Sequence, residues 1–184
     1  MHPPRSSVRS GRAAVAVVAL AASAFLAGCS GEDDSEPEAR LSTVRSGLAA
    51  MFAGDHAVER DITAGNCFAE ALTDEVDLAD LREAGVLDSS YAVVAELPAL
   101  TEELAVPWAR AQLACTDFAE ESARAQVAAS KGAADAEAYA GCLRAALSDS
   151  DLEAALVETL TGTWDGPALT RLAAAQTSCA VDPR

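Results

Sequence analysis

The constraint that most narrows the fold is a repeated cysteine-bearing segment. C-F-A-E-A-L-T-D runs from Cys67 to Asp74, and C-L-R-A-A-L-S-D runs from Cys142 to Asp149. Alanine, leucine, a hydroxyl residue and aspartate fall at the same offsets from each cysteine. Further on, Pro98-Ala99-Leu100-Thr101 recurs as Pro167-Ala168-Leu169-Thr170, and A-Q-L-A-C ending at Cys115 is echoed by A-Q-T-S-C ending at Cys179. Three matches in one order point to a tandem duplication, with repeat one over about 41–115 and repeat two over about 117–180.

What such a repeat can fold into follows from its residues. Ala, Leu, Glu and Asp dominate, aromatics make up only 4% of the chain, and β-branched runs are nearly absent, so helix formers prevail. Leu104, Trp108, Ala111 and Cys115 recur at helical spacing, and Ala168, Leu172, Ala175 and Cys179 repeat the same steps. No stretch alternates as a strand would. The expected fold is therefore all-α, a disulfide-stapled helical bundle of two tandem, roughly four-helix repeats spanning 41–184. Helices are expected near 41–53, 62–73, 76–84 and 98–115, then near 117–131, 134–148, 150–161 and 167–179. Pro107 is expected to bend or break the fourth. Thr73-Asp74 and Ser148-Asp149 read as N-caps, Gly85 and Gly162 as left-handed C-terminal turns, and Pro98 and Pro167 as first-turn prolines. Insertions near 55–60 and 88–97 lengthen the first repeat.

The N-terminus carries an address. Arg5, Arg9 and Arg12 precede an apolar run from Ala13 to Ala27, broken by Ser23 alone. That run is shorter than the roughly 20 residues a membrane-spanning helix needs, and polar and acidic residues follow it. A cleaved export signal over 1–28 fits better than an anchor. It ends in Leu26-Ala27-Gly28-Cys29, which resembles the lipobox of bacterial lipoproteins and implies lipidation of Cys29. Residues 29–40 then comprise the lipidated cysteine and an acidic stretch that reads as a disordered tether. Its 11 residues after Cys29 would reach about 35–40 Å at about 3.5 Å each.

With Cys29 assigned to the anchor, Cys67, Cys115, Cys142 and Cys179 remain. An even number in an exported domain argues for two structural disulfides. All three pairings are compatible with exchange of the repeats, so symmetry does not choose between them. One staple per repeat, Cys67–Cys115 with Cys142–Cys179, is the favoured arrangement. Loops of 48 and 37 residues would each contribute at most about 4 kcal/mol in the chain-entropy model. Cys-x₂₋₄-Cys spacing is absent, which argues against zinc and against a redox dithiol.

Lipobox, acidic tether, high alanine content and Cys-x₃-Ala-Leu-[Thr/Ser]-Asp helices together resemble a group of uncharacterised exported proteins and lipoproteins of high-GC actinobacteria. The stretch Cys142–Gly162 carries the likeness best. The resemblance implies an envelope location and a helical, disulfide-bonded domain, and it implies no activity.

Charge and missing chemistry narrow the function further. All 29 acidic residues but only ten of the 13 basic ones follow Cys29, giving a mature net charge of −19. Such a surface repels phosphate backbones and anionic headgroups, so nucleic-acid binding is not expected. His56 is the one histidine after the signal and reads as a loop residue. Lys131, the sole lysine, reads as a cation at a helix C-terminus. No glycine-rich phosphate cradle, nucleophile elbow or metal-ligand spacing is present. Asp149-Ser150-Asp151 and Asp74-Glu75 lack the glycine turn and distal glutamate of a calcium loop and read as helix-terminal acids. The expectation is a non-enzymatic envelope module without cofactor or metal, lipid-anchored on the extracytoplasmic face of the cell membrane. It would bind or scaffold an envelope protein partner, with Trp164 and Tyr91 as the candidate partner surface. The alternative is a carrier for a small hydrophobic ligand between the two repeats; an enzyme is the third reading.

Overall fold

Helix-forming residues with an apolar stripe must bury that stripe against another helix, and the described residues form eight helices that pack in this way. A computed structural model describes residues 35–182, and within them lie α1 (Ser35–Ala53), α2 (Glu59–Glu75), α3 (Leu78–Glu83), α4 (Glu102–Cys115), α5 (Phe118–Ala129), α6 (Ala136–Ala146), α7 (Asp149–Leu160) and α8 (Pro167–Val181). The only β-type pairing among the described residues is a single antiparallel bridge between Leu87 and Val93 in the α3–α4 connection. The all-α expectation holds. No helix among the described residues is long and apolar enough to cross a membrane.

Two cores of unequal size hold these helices. The larger joins α1 to α4 around Val44, Leu48, Phe68, Leu72, Leu81 and Trp108. Phe52 stacks on Phe68 with ring centroids 4.5 Å apart, and Trp108 meets Phe68 edge-on at 5.1 Å, an arrangement favoured by the ring quadrupoles. α1 and α2 approach closely where Gly65 lies against the Ala49 backbone: a Cβ there would sit 2.5 Å from the Ala49 carbonyl oxygen. The smaller core joins α5, α6 and α8, and Tyr139, Leu143 and Leu147 are its only large buried side chains, set among alanines and Cys179. α7 bridges the two, because Leu152 packs on the small core while Val157 and Leu160 pack on the large one.

Helix ends follow the sequence signals in some places and depart from them in others. Gly85 and Gly162 adopt φ +77° and +75°. Each closes a Schellman turn, with Val86 N–H donating to Leu81 at 2.9 Å and Thr163 N–H to Glu158 at 2.7 Å. Ser148 caps α7, accepting from Asp151 N–H, while the Asp151 carboxylate accepts from Ser148 N–H at 3.0 Å.

Thr73 and Asp74 are no cap. α2 continues through them, and the Thr73 hydroxyl donates to Ala69 and accepts from Arg45 Nε at 2.7 Å. Pro98 also lies outside α4. Leu100 is buried and its N–H donates across to Leu160 at 2.8 Å, which holds the segment extended until Thr101 starts the helix. Pro167 does occupy the first turn of α8. Pro107 fails to end α4, which runs on to Cys115. It stands early in the helix, so the carbonyl that loses its donor belongs to Glu103 in the first turn.

The tether also requires correction. α1 begins at Ser35, so residues 35–40 are helical. Pro37 stands in the first turn, where a missing N–H leaves no bond unmade. Arg40, the last residue of the expected tether, places its guanidinium 4.6 Å from the Tyr91 ring centroid. That tertiary contact gives the helix a reason to extend.

Candidate partner-binding surfaces

Both disulfides form as favoured from the sequence. Cys67 on α2 joins Cys115 at the end of α4, and Cys142 on α6 joins Cys179 on α8, with Cα separations of 5.6 and 5.7 Å. Each sits beside one of the two cores and ties the helices that build it. Cys29 and the preceding Leu26, Ala27 and Gly28 lie outside the described residues.

Of the two aromatic residues singled out, only Trp164 stands in solvent. It is 73% exposed, in the turn between α7 and α8. A Cβ on Gly162 would lie 4.0 Å from Trp164 Nε1 and 3.8 Å from Ala99 Cβ, so Trp164 and Ala99 flank the same glycine. Leu97, 37% exposed, lies on the segment that carries Ala99. Tyr91 is different. It is half-buried against the larger core, its hydroxyl accepts from Arg82 at 3.0 Å, and Arg40 and Arg82 both stack on its ring. Its backbone takes φ +64°, in a tight loop where the Asp88 carboxylate accepts from the N–H groups of Ser90 and Ala92. Tyr91 is thus committed to internal contacts, a correction to its expected exposure.

His56 is exposed in the loop between α1 and α2, as read from the sequence. Lys131 takes the left-handed position at the end of α5, with φ +54°, and so lies where a cation complements the helix dipole. Asp149 and Asp151 occupy the first turn of α7 as expected. Asp74 instead ends α2, where a negative charge is unfavourable, and Arg45 offsets it at 2.6 Å.

Two concave features emerge that periodicity did not reveal. The first is a cleft of about 520 Å³ where α4, α5, α6 and α7 converge. Leu113, Phe118, Leu143, Leu147 and Leu152 supply its apolar lining. Arg110–Glu153 at 3.1 Å and Arg144–Asp117 at 2.7 Å cross between its helices as ion pairs, and Asp149 adds a further carboxylate to its lining. Arg144 and the Glu120 N–H hold the Asp117 carboxyl below its ordinary range. The second is a groove of about 1020 Å³ between α3 and the first turns of α4. Its sides carry Glu75, Asp80, Glu83, Glu102 and Glu103, and Val76, Leu104, Val106 and Pro107 line it between them.

Asp61, Asp88, Glu103, Asp117 and Asp151 are all shifted downward, each by hydrogen bonds from backbone, hydroxyl or guanidinium donors. Glu103 lies in the groove and Asp117 in the cleft, and the other three lie outside both. Among the described residues no three His, Cys, Asp or Glu side chains converge as they would around a metal ion. The chain matches no family model, no curated protein and no solved structure.

Proposed function

We propose that this chain is an exported lipoprotein, held through Cys29 on the outer face of the cytoplasmic membrane, whose duplicated helical domain binds or scaffolds an envelope protein without catalysing a reaction. The lipobox and the repeated Cys-x₃-Ala-Leu-[Thr/Ser]-Asp motif support this reading through their resemblance to uncharacterised actinobacterial lipoproteins. The observation that carries the binding role is Trp164. A large aromatic side chain left 73% exposed beside Ala99, in a domain whose other described aromatics are buried or half-buried, is the type of residue that anchors protein interfaces.

The test has two parts. Metabolic labelling with an alkyne fatty acid should mark the wild-type chain and leave a Cys29→Ser variant unmarked; equal labelling of both removes the anchor. A photo-crosslinking residue at position 164, in intact cells, should yield one discrete adduct that is absent when the same residue replaces exposed Glu137. Adducts that are identical at both positions, or absent from both, refute the partner role.

The carrier reading draws on one observation, the apolar lining of the cleft at the α4–α7 junction. Its two crossing ion pairs would have to part for an apolar ligand to enter, which disfavours it. Native mass spectrometry of protein taken from membranes should show no bound small molecule; a stoichiometric adduct would reverse the order of the two readings.

A further inference from the structure

The chain distributes its few cations unevenly. Ion pairs join Arg45 to Asp74, Arg60 to Asp61 and Glu121, Arg110 to Glu153, Arg124 to Glu120 and Glu121, Arg144 to Asp117 and Glu120, and Arg171 to Asp151. None of these involves the five carboxylates along the α3–α4 groove, and no Arg, Lys or His is among the residues lining it. Glu75, Asp80, Glu83, Glu102 and Glu103 therefore share the groove without a cation in its lining, and its apolar floor is half-buried Val106 with buried Val76, Leu104 and Pro107 around it.

Two further details concern what the groove would accept. Its acids do not converge as ligands around one metal ion would, so they fit several separated cations better than a single ion. Pro107 has no N–H to offer the Glu103 carbonyl, so this acceptor keeps no i→i+4 donor, and both residues line the groove. An anionic membrane surface or a nucleic acid is repelled by the same charges.

We propose that the α3–α4 groove docks a basic amphipathic segment of a protein partner. Its apolar side chains lie on Val76, Leu104, Val106 and Pro107, and its ammonium or guanidinium groups reach the flanking carboxylates. This rests on the partner-binding role and gives it a chemistry. Opposite charge would speed encounter, and the apolar strip would select an amphipathic segment over a merely basic one.

The probe is a short Leu/Lys peptide with its leucines on one helical face, compared with its scrambled isomer and its Leu/Glu counterpart. The mature lipoprotein is held in zwitterionic nanodiscs, and binding to empty nanodiscs is subtracted. The amphipathic Lys peptide should bind at least about tenfold tighter than the scramble, and the Glu peptide should not bind. Asp80→Lys, Glu83→Lys and Glu102→Lys together should weaken binding about tenfold or more, while reversing Asp55, Glu137 and Asp165 should change it less than about threefold. Val106→Asp, with the acids intact, should also weaken it. Equal binding of the scramble, or equal loss in both triple variants, overturns the groove and leaves only the bulk charge. A cell adduct from a photo-crosslinker at position 164 with none from position 106 also refutes the groove, while the partner role stands.

Discussion

Deleting either disulfide should reveal how unequally the two cores support their halves. In the chain-entropy model the 48- and 37-residue loops contribute nearly the same, about 4 kcal/mol each. The burial around them differs. Val44, Leu48, Phe68, Leu72, Val76, Leu81, Val86, Leu87, Leu100, Leu104 and Trp108 are large buried side chains in the first core, whereas the second has Tyr139, Leu143 and Leu147. At about 1.5–3 kcal/mol per buried side chain, gross burial is about 17–33 kcal/mol against about 5–9 kcal/mol, before conformational entropy is subtracted from both. A loss of about 4 kcal/mol is thus a modest fraction of the first and about half or more of the second. Cys142→Ala with Cys179→Ala should abolish hydrogen-exchange protection in α5, α6 and α8 while α1 to α4 stay protected. Cys67→Ala with Cys115→Ala should lower the first-half melting temperature by about 16–32 °C, at about 4–8 °C per kcal/mol for a unit of that size, with protection retained at low temperature. Exchange measured by mass spectrometry, peptide by peptide, separates these outcomes. Equal loss of protection in both variants, or selective loss in α1 to α4, refutes the reasoning.

Two other perturbations test the local contacts. The Glu158 carboxylate accepts from the N–H groups of Ala168 and Leu169 at 3.2 and 2.7 Å, taking the place of an N-cap side chain, and a Cβ on Gly166 would overlap that carboxylate. Glu158→Ala should destabilise by about 1–2 kcal/mol, and Gly166→Ala should cost a similar amount by displacing the carboxylate. Because both act through one contact, chemical denaturation of the double variant should show clear non-additivity, and additive losses would remove this account. Asp151 is held down to about 2 by the Ser148 hydroxyl and N–H and by Arg171. A carboxyl whose folded pKa is depressed stabilises above its unfolded value near 3.9 and loses that contribution as pH falls toward about 2. The melting temperature should therefore drop between about pH 4 and pH 2, and Asp151→Asn should flatten that limb; an unchanged slope in the variant would exclude this role.

The arginines show how a domain this acidic holds its helices together. Arg45 links α1 to α2, Arg60 links α2 to α5, Arg110 links α4 to α7, Arg144 links α6 to α5, and Arg171 links α8 to α7. Exposed pairs of this kind contribute little singly. Their placement matters more, because each ties its own helix to a carboxylate on or capping a neighbouring one. The α3–α4 groove departs from that pattern: carboxylates from α2, α3 and α4 meet there with no arginine between them. Asp80, Glu102 and Glu103 there stand in helix first turns, where the dipole favours them, so the groove keeps its acids without an arginine and leaves them open to a cation from outside.

The sequence is most legible where one short segment determines the outcome. Gly85 and Gly162 mark left-handed turns because few other residues tolerate that backbone, and Ser148 marks a cap because its partner Asp151 lies within one turn. The same motif misleads at Thr73, where the deciding partner is Arg45 on another helix, and at Pro98, where the deciding bond runs from Leu100 to Leu160. Tyr91 fails for the same reason: its loop position suggested solvent, but Arg40 and Arg82 converge on it from α1 and α3. The groove could be foreseen only in part. The acids at 102–103 and at 80 and 83 are plain in the sequence, but local periodicity does not report which helix ends meet. What makes them a candidate site is the absence of an arginine among them, and that is a property of the packed domain rather than of any one segment.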